Sequence, residues 1–142
     1  MTLGMVARGQ YASRNLLPSE QFGLGGYDTV RGYDEREVNV DNAACFNLEL
    51  RSKPYRVFSS ESCAESCSDS LILLAFLDYG TGGNVHTYRH ERSNFNLLGI
   101  GPGLRYNFSN YLAARLDVGI RLIKSPFDDS RGMVHFGIIA SY

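Results

Sequence analysis

No run of eighteen apolar residues occurs in this 142-residue chain, so it encodes no transmembrane helix. That absence leaves a membrane open, because a spanning strand needs only about 9–11 residues of alternating character. Tryptophan is missing, and lysine, a good helix former, occurs only as Lys53 and Lys124. Charge of one sign is lacking too. The net charge is −1 and the pI about 6.3, so there is no basic footprint for nucleic acid. Cysteine is scarce and odd in number. Cys45, Cys63 and Cys67 give no complete disulfide framework, although Cys63 and Cys67 could bridge locally. The CAESC spacing fits neither a redox pair nor a zinc site, so no metal is expected. The first residues, MTLGMVARGQYAS, have no charged segment followed by a long apolar one and do not read as a signal peptide. Gly23, Gly25 and Gly26 do not form GxGxxG, and no Ser–His–Asp arrangement with a nucleophile elbow is present. Neither an enzyme nor a cofactor is expected.

What the chain does have is 15 Gly, 9 Tyr and 8 Phe, a composition suited to strands and turns. Period-two alternation predicts six strands: Thr2 to Tyr11, Ala44 to Arg51, Leu71 to Thr81, Asn96 to Phe108, Leu112 to Lys124 and Met133 to Tyr142. A polar, Gly-rich loop from Ala12 to Asp41 separates the first two. A Ser- and Cys-rich connector, Phe58 to Ser70, precedes the third. The remaining links are a polar loop with His86, His90 and Glu91, a tight SNY turn, and a loop with Asp128 and Asp129. The i, i+4 histidines lack a helix to align them, so they read as solvated loop residues.

One strand face is apolar throughout. The other carries Arg8, Glu49, Arg51, Asp78, Arg105, Arg115, Asp117, Arg121 and His135 among glycines. A lipid-facing exterior around a charged, water-lined lumen has this pattern. A soluble antiparallel sheet that binds a ligand on its charged face has it as well. Strands this long exceed the usual soluble length of about 5–6 residues. The last strand ends in an aromatic, and Phe136, Ile138 and Tyr142 form the alternating C-terminal pattern by which outer-membrane barrels are handed to their assembly machinery. A carboxylate among apolar neighbours, as in FLDYG at Phe76 to Gly80, needs a charged partner. The loop segment LGGYDTVRGY offers Arg31.

The run from Leu17 to Arg51, with LPSEQF, then GG, then VRGY, resembles the two-partner secretion translocators of the haemolysin secretion/activation family. These are outer-membrane proteins of the BamA-like barrel-assembly superfamily. FLDYG resembles the superfamily's F-x-D-x-G strand motif, and Ala114 to Gly119 its penultimate strand. The resemblance implies an all-β, antiparallel transmembrane β-barrel, of which residues 1–142 supply the last six strands. Residues 12–41 would be the VRGY loop, folded back into the lumen. A complete barrel of this type has roughly sixteen strands. The expectation is therefore a C-terminal portion, inactive alone, without periplasmic recognition domains, whose other strands come from a missing N-terminal part.

The resemblance further implies that Arg31 in the loop locks onto Asp78 on the inner wall. Val30, Gly32 and Tyr33 would flank Arg31, with Phe76 and Gly80 beside Asp78. Gly80 would clear room for the loop, and Tyr33 would pack on the wall. The implied partners are a secreted β-helical exoprotein of haemolysin or adhesin type, outer-membrane lipid and the barrel-assembly machinery. A barrel-assembly insertion factor is the alternative within the superfamily.

Overall fold

A computed structural model describes residues 1–57, 69–86, 94–108, 111–125 and 130–141. It contains eight strands and, among the described residues, no helix. They are β1 (Thr2–Gln10), β2 (Phe22–Leu24), β3 (Val38–Val40), β4 (Asn42–Arg51), β5 (Asp69–Gly83), β6 (Asn94–Phe108), β7 (Leu112–Arg121) and β8 (Gly132–Ala140). Six of them form one antiparallel sheet in the order β1-β4-β5-β6-β7-β8. The sheet is open, with β1 and β8 each paired on one side. Its all-β, antiparallel build is that of a partial barrel wall. β5 and β6 reach 15 residues each, long enough for tilted membrane strands.

Register places the two faces as the alternation requires. Outward rows such as Leu48, Leu77 and Ile100 stay exposed, as do Leu3, Met5, Phe136 and Ile138. The inward rows read Asn47–Asp78–Gly99–Arg121, then Glu49–Phe76–Gly101, then Arg51–Leu74–Gly103–Asp117–His135. Pro102 lies mid-strand in β6. The ladder to β7 is interrupted at Gly101 and Pro102, while the ladder to β5 runs through both. The missing Pro donor thus falls on one side only.

The core lies between the loop and the inner face. Leu24, Val30, Tyr33, Val38 and Val40 from the loop pack with Cys45 and Leu97 from the wall, all fully or nearly fully buried. The loop is therefore more ordered than its glycines suggest. Where sequence alone indicates an unbroken loop from Ala12 to Asp41, β2 and β3 pair as a short ribbon, Phe22 opposite Val40 and Leu24 opposite Val38. Three-residue strands interrupted by Gly23 are too short to show a period. The fifth expected strand also stops early, at Arg121 rather than Lys124. Beyond it the Ile123 carbonyl accepts the Tyr33 hydroxyl instead of a ladder bond. β5 begins at Asp69, inside the expected connector, and Tyr55 forms an isolated bridge with Leu71. Cys63, Cys67, His90, Glu91, Asp128, Asp129 and Tyr142 lie outside the described residues.

Candidate functional site

The β2–β3 ribbon carries residues 25–37 to the inner wall. Gly25 and Gly26 take φ of 102° and 99°, which only glycine adopts without strain, and start the turn. The Thr29 hydroxyl donates to the Gly25 carbonyl at 2.9 Å, and the Gly26 N–H to the Val30 carbonyl at 3.2 Å. This compact turn points Val30 and Arg31 at β5 and β6. The wall is recessed to receive them. A methyl group on Gly80 would sit 2.7 Å from the Val30 Cγ2, and one on Gly99 would overlap the Arg31 carbonyl oxygen. Gly32, at φ 96°, lies against Gly119 so closely that neither position has room for a Cβ.

Arg31 and Asp78 meet as a fork. Arg31 Nε donates to Asp78 Oδ2 at 2.7 Å and Nη2 to Oδ1 at 2.9 Å, and the Arg31 backbone N–H adds a third bond to Oδ2 at 3.1 Å. Such a bidentate pair fixes orientation as well as adding energy. Nη1 continues to Glu49 Oε1 at 2.6 Å, with Asp117 Oδ1 at 3.7 Å. The guanidinium stacks on the Phe76 ring, 3.7 Å from its centroid. Asn47 on β4 completes the seat, donating to Asp78 Oδ1 at 2.9 Å and to the Thr29 carbonyl at 2.5 Å. Arg31 is 3% exposed and Asp78 0%, so water contributes little to either. Burial works against the Arg31 charge, but the hydrogen bonds and charges of Asp78 and Glu49 overcome it and hold its pKa above the ordinary arginine value. The group is a fixed cation.

The next two residues are held from β6, β7 and β8. The Gly32 N–H donates to His135 Nε2 at 3.1 Å, and its carbonyl accepts Arg121 Nε at 2.5 Å. His135 therefore carries its proton on Nδ1. The Tyr33 hydroxyl donates to the Ile123 carbonyl at 2.6 Å and accepts from the Leu98 N–H at 3.1 Å. Burial pushes the Tyr33 pKa up, so the phenol stays neutral.

Val30, Arg31, Gly32, Tyr33, Phe76, Asp78 and Gly80 thus converge on one patch of the inner wall. Phe136 and Ile138 face outward and are exposed. His86 exchanges bonds with Asn15 in an exposed loop. The alternation puts Glu49, Asp117, Arg121 and His135 on the charged face without assigning them to the loop, and it marks neither Asn47 nor Asp41 as a site residue. Asp41 is fully buried. Its carboxylate accepts the Leu16 N–H at 2.9 Å, the Gln21 amide at 3.1 Å and the Val85 N–H at 3.0 Å. Burial opposes its charge, but these donors win and lower its pKa. Asp41 joins the LPSEQF turn to the loop after β5. The signal available in the sequence was an acid set alone between Val40 and a strand start.

Comparison with known proteins adds one match. The family model described as haemolysin secretion/activation protein ShlB/FhaC/HecB matches residues 2–106, well over half of the chain, and that stretch contains both the VRGY loop and the FLDYG strand. No curated protein and no solved structure matches it.

Proposed function

The chain belongs to the haemolysin secretion/activation family of outer-membrane proteins, and on that footing we propose that it forms part of the wall of a two-partner secretion translocator. The cargo is a secreted, β-helical exoprotein of haemolysin or adhesin type. Residues 1–142 make up one portion of a single barrel domain in a Gram-negative-type outer membrane, with residues 12–41 as the lumen loop. Further strands pair with the free edges of β1 and β8, because an unpaired edge in lipid leaves backbone groups unsatisfied. The barrel-assembly machinery inserts the wall, reading Phe136, Ile138 and Tyr142. No covalent chemistry and no cofactor take part. The protein acts by shape and charge.

The observation that carries this reading is the three-bond seat of Arg31 on Asp78, which holds a long loop against the charged face of a sheet whose opposite face is apolar and exposed. A soluble ligand-binding sheet has no use for so wide an exposed apolar belt. In the proposed orientation the turn between β6 and β7 faces the periplasm, where barrel turns are short. The loops after β5 and β7 face outside. The test is deletion of the gene in its native host, followed by assay of exoprotein at the cell surface and in the medium. Exoprotein should accumulate in the periplasm and return to the surface on complementation. Unchanged secretion would refute the translocator reading.

A further inference from the structure

Between the Arg31 seat and the β6–β7 turn, the inner wall encloses a second charged feature. A cavity of about 340 Å³ takes its polar lining from Arg51 on β4, Arg105 and Asn107 on β6, Arg115 on β7 and the loop residue Tyr27, with Ile72 and Ile139 among its apolar lining. The three arginines differ in how far they are committed. Arg51 pairs with Glu49 through Nε at 2.9 Å and Nη2 at 2.5 Å. Arg105 pairs with Asp117, Nη1 to Oδ1 and Nη2 to Oδ2 each at 2.9 Å. Arg115 has no carboxylate within 4 Å among the described residues. Its guanidinium lies 3.7 Å from the Tyr27 ring centroid, and the residue is exposed. Asp78, Glu49 and Asp117 between them match Arg31, Arg51 and Arg105, so Arg115 is left as the surplus positive charge of this region among the described residues.

The geometry points to a carboxylate-binding site in this cavity, with Arg115 as its principal donor and Arg105 and Arg51 as flanking charges. Guanidinium forks match carboxylates bidentately, and the amide of Asn107 adds a neutral donor. Gly137 on β8 leaves the space in which Arg115 lies flat, since a methyl there would come 2.7 Å from its Nε. The ligand is an extended acidic polypeptide rather than a lipid headgroup. The cavity opens on the inner face, while Leu104, Leu116 and Phe136 present the opposite face to lipid. Resting on the translocator reading, this site lies between the periplasmic β6–β7 turn and the Arg31 seat, on the path of an exoprotein leaving the periplasm. Acidic residues in the cargo would be held there, beneath Tyr27, before the loop at Arg31.

The test measures binding directly, apart from secretion. The full-length protein in detergent micelles is titrated against fluorescent oligo-glutamate and, separately, oligo-lysine and inorganic phosphate, by anisotropy. Oligo-glutamate should bind in a salt-sensitive way and oligo-lysine should not. Arg115→Gln should weaken binding about tenfold or more, and Arg115→Lys, which keeps the charge but loses the fork, should fall between wild type and Arg115→Gln. Heat-modifiable migration of both variants confirms a folded barrel. Equal binding by wild type and Arg115→Gln would overturn the site, as would no preference over oligo-lysine. Binding of phosphate as tight as that of the peptide would overturn the polypeptide assignment. If oligo-glutamate binds as expected but gene deletion leaves secretion intact, the translocator reading fails and the site stands.

Discussion

Removing Arg31 and removing the Asp78 charge should not cost the same, although the two form one pair. Arg31→Gln strands an aspartate that is 0% exposed, with the Asn47 amide as its one remaining side-chain donor among the described residues. Breaking a buried pair in this way costs about 3–5 kcal/mol. Asp78→Asn leaves Arg31 with Glu49 at 2.6 Å and Asp117 at 3.7 Å, so it forfeits charge-assisted bonds worth about 1.5–3 kcal/mol without abandoning the cation. The Gly32 amide, whose acceptor His135 neither substitution touches, reports the difference by hydrogen exchange. At tenfold per about 1.4 kcal/mol, Arg31→Gln should accelerate its exchange by about 100- to 4,000-fold, and Asp78→Asn by about 10- to 100-fold. Amides of β5 and β6 should keep their protection in both. Equal acceleration, or a larger effect from Asp78→Asn, would refute the assignment of Glu49 and Asp117 as secondary partners.

Three other outcomes follow from the same structure. Gly99→Ala places a methyl against the Arg31 carbonyl and should undock the loop at a cost of about 1–3 kcal/mol, seen as new protease cleavage within residues 25–37 while the sheet's amide protection is unchanged. Leu77→Arg, in the outward belt, should destabilise the protein by about 2–4 kcal/mol in lipid bilayers, measured by urea unfolding, whereas a change within about 0.5 kcal/mol would mark that face as water-exposed. Asp41 has a lowered folded pKa, so its contribution is present above the unfolded aspartate value of about 3.9 and lost as pH falls through the folded one. Acidification below about pH 4 should therefore release the LPSEQF turn in wild type, detected by faster proteolysis near Glu20, and Asp41→Asn should show that release already at neutral pH.

The long wall strands were legible because each pairs an apolar with a polar face over eight or more residues, and Leu112 to Arg121 alternates without a fault. The loop ribbon was not, because Phe22–Leu24 and Val38–Val40 are stabilised by packing on Cys45 and Leu97 rather than by any period of their own. Arg31 and Asp78 stood out as a loop cation and a strand carboxylate with no local partners. Their companions did not, since which inward residue meets the loop depends on register. Arg121 and Arg115 are both inward arginines of β7, yet one clasps the Gly32 carbonyl and the other stacks on Tyr27. Gly99 and Gly119 look in sequence like other barrel glycines. Only the docked backbone reveals them as the floor of its seat.

The seats of the VRGY segment are spread across the sheet in a way that dictates an order of events. Arg31 reaches 47 residues ahead to Asp78, Tyr33 reaches 90 to Ile123, and Gly32 reaches 89 to Arg121 and 103 to His135. Contacts this distant in sequence form only after the intervening chain has been laid down in register. The loop leaves the biosynthetic machinery early, but its Tyr33 seat waits for Ile123 and its Gly32 amide waits for His135 on β8. A fully seated loop thus reports that β4 to β8 are all in register.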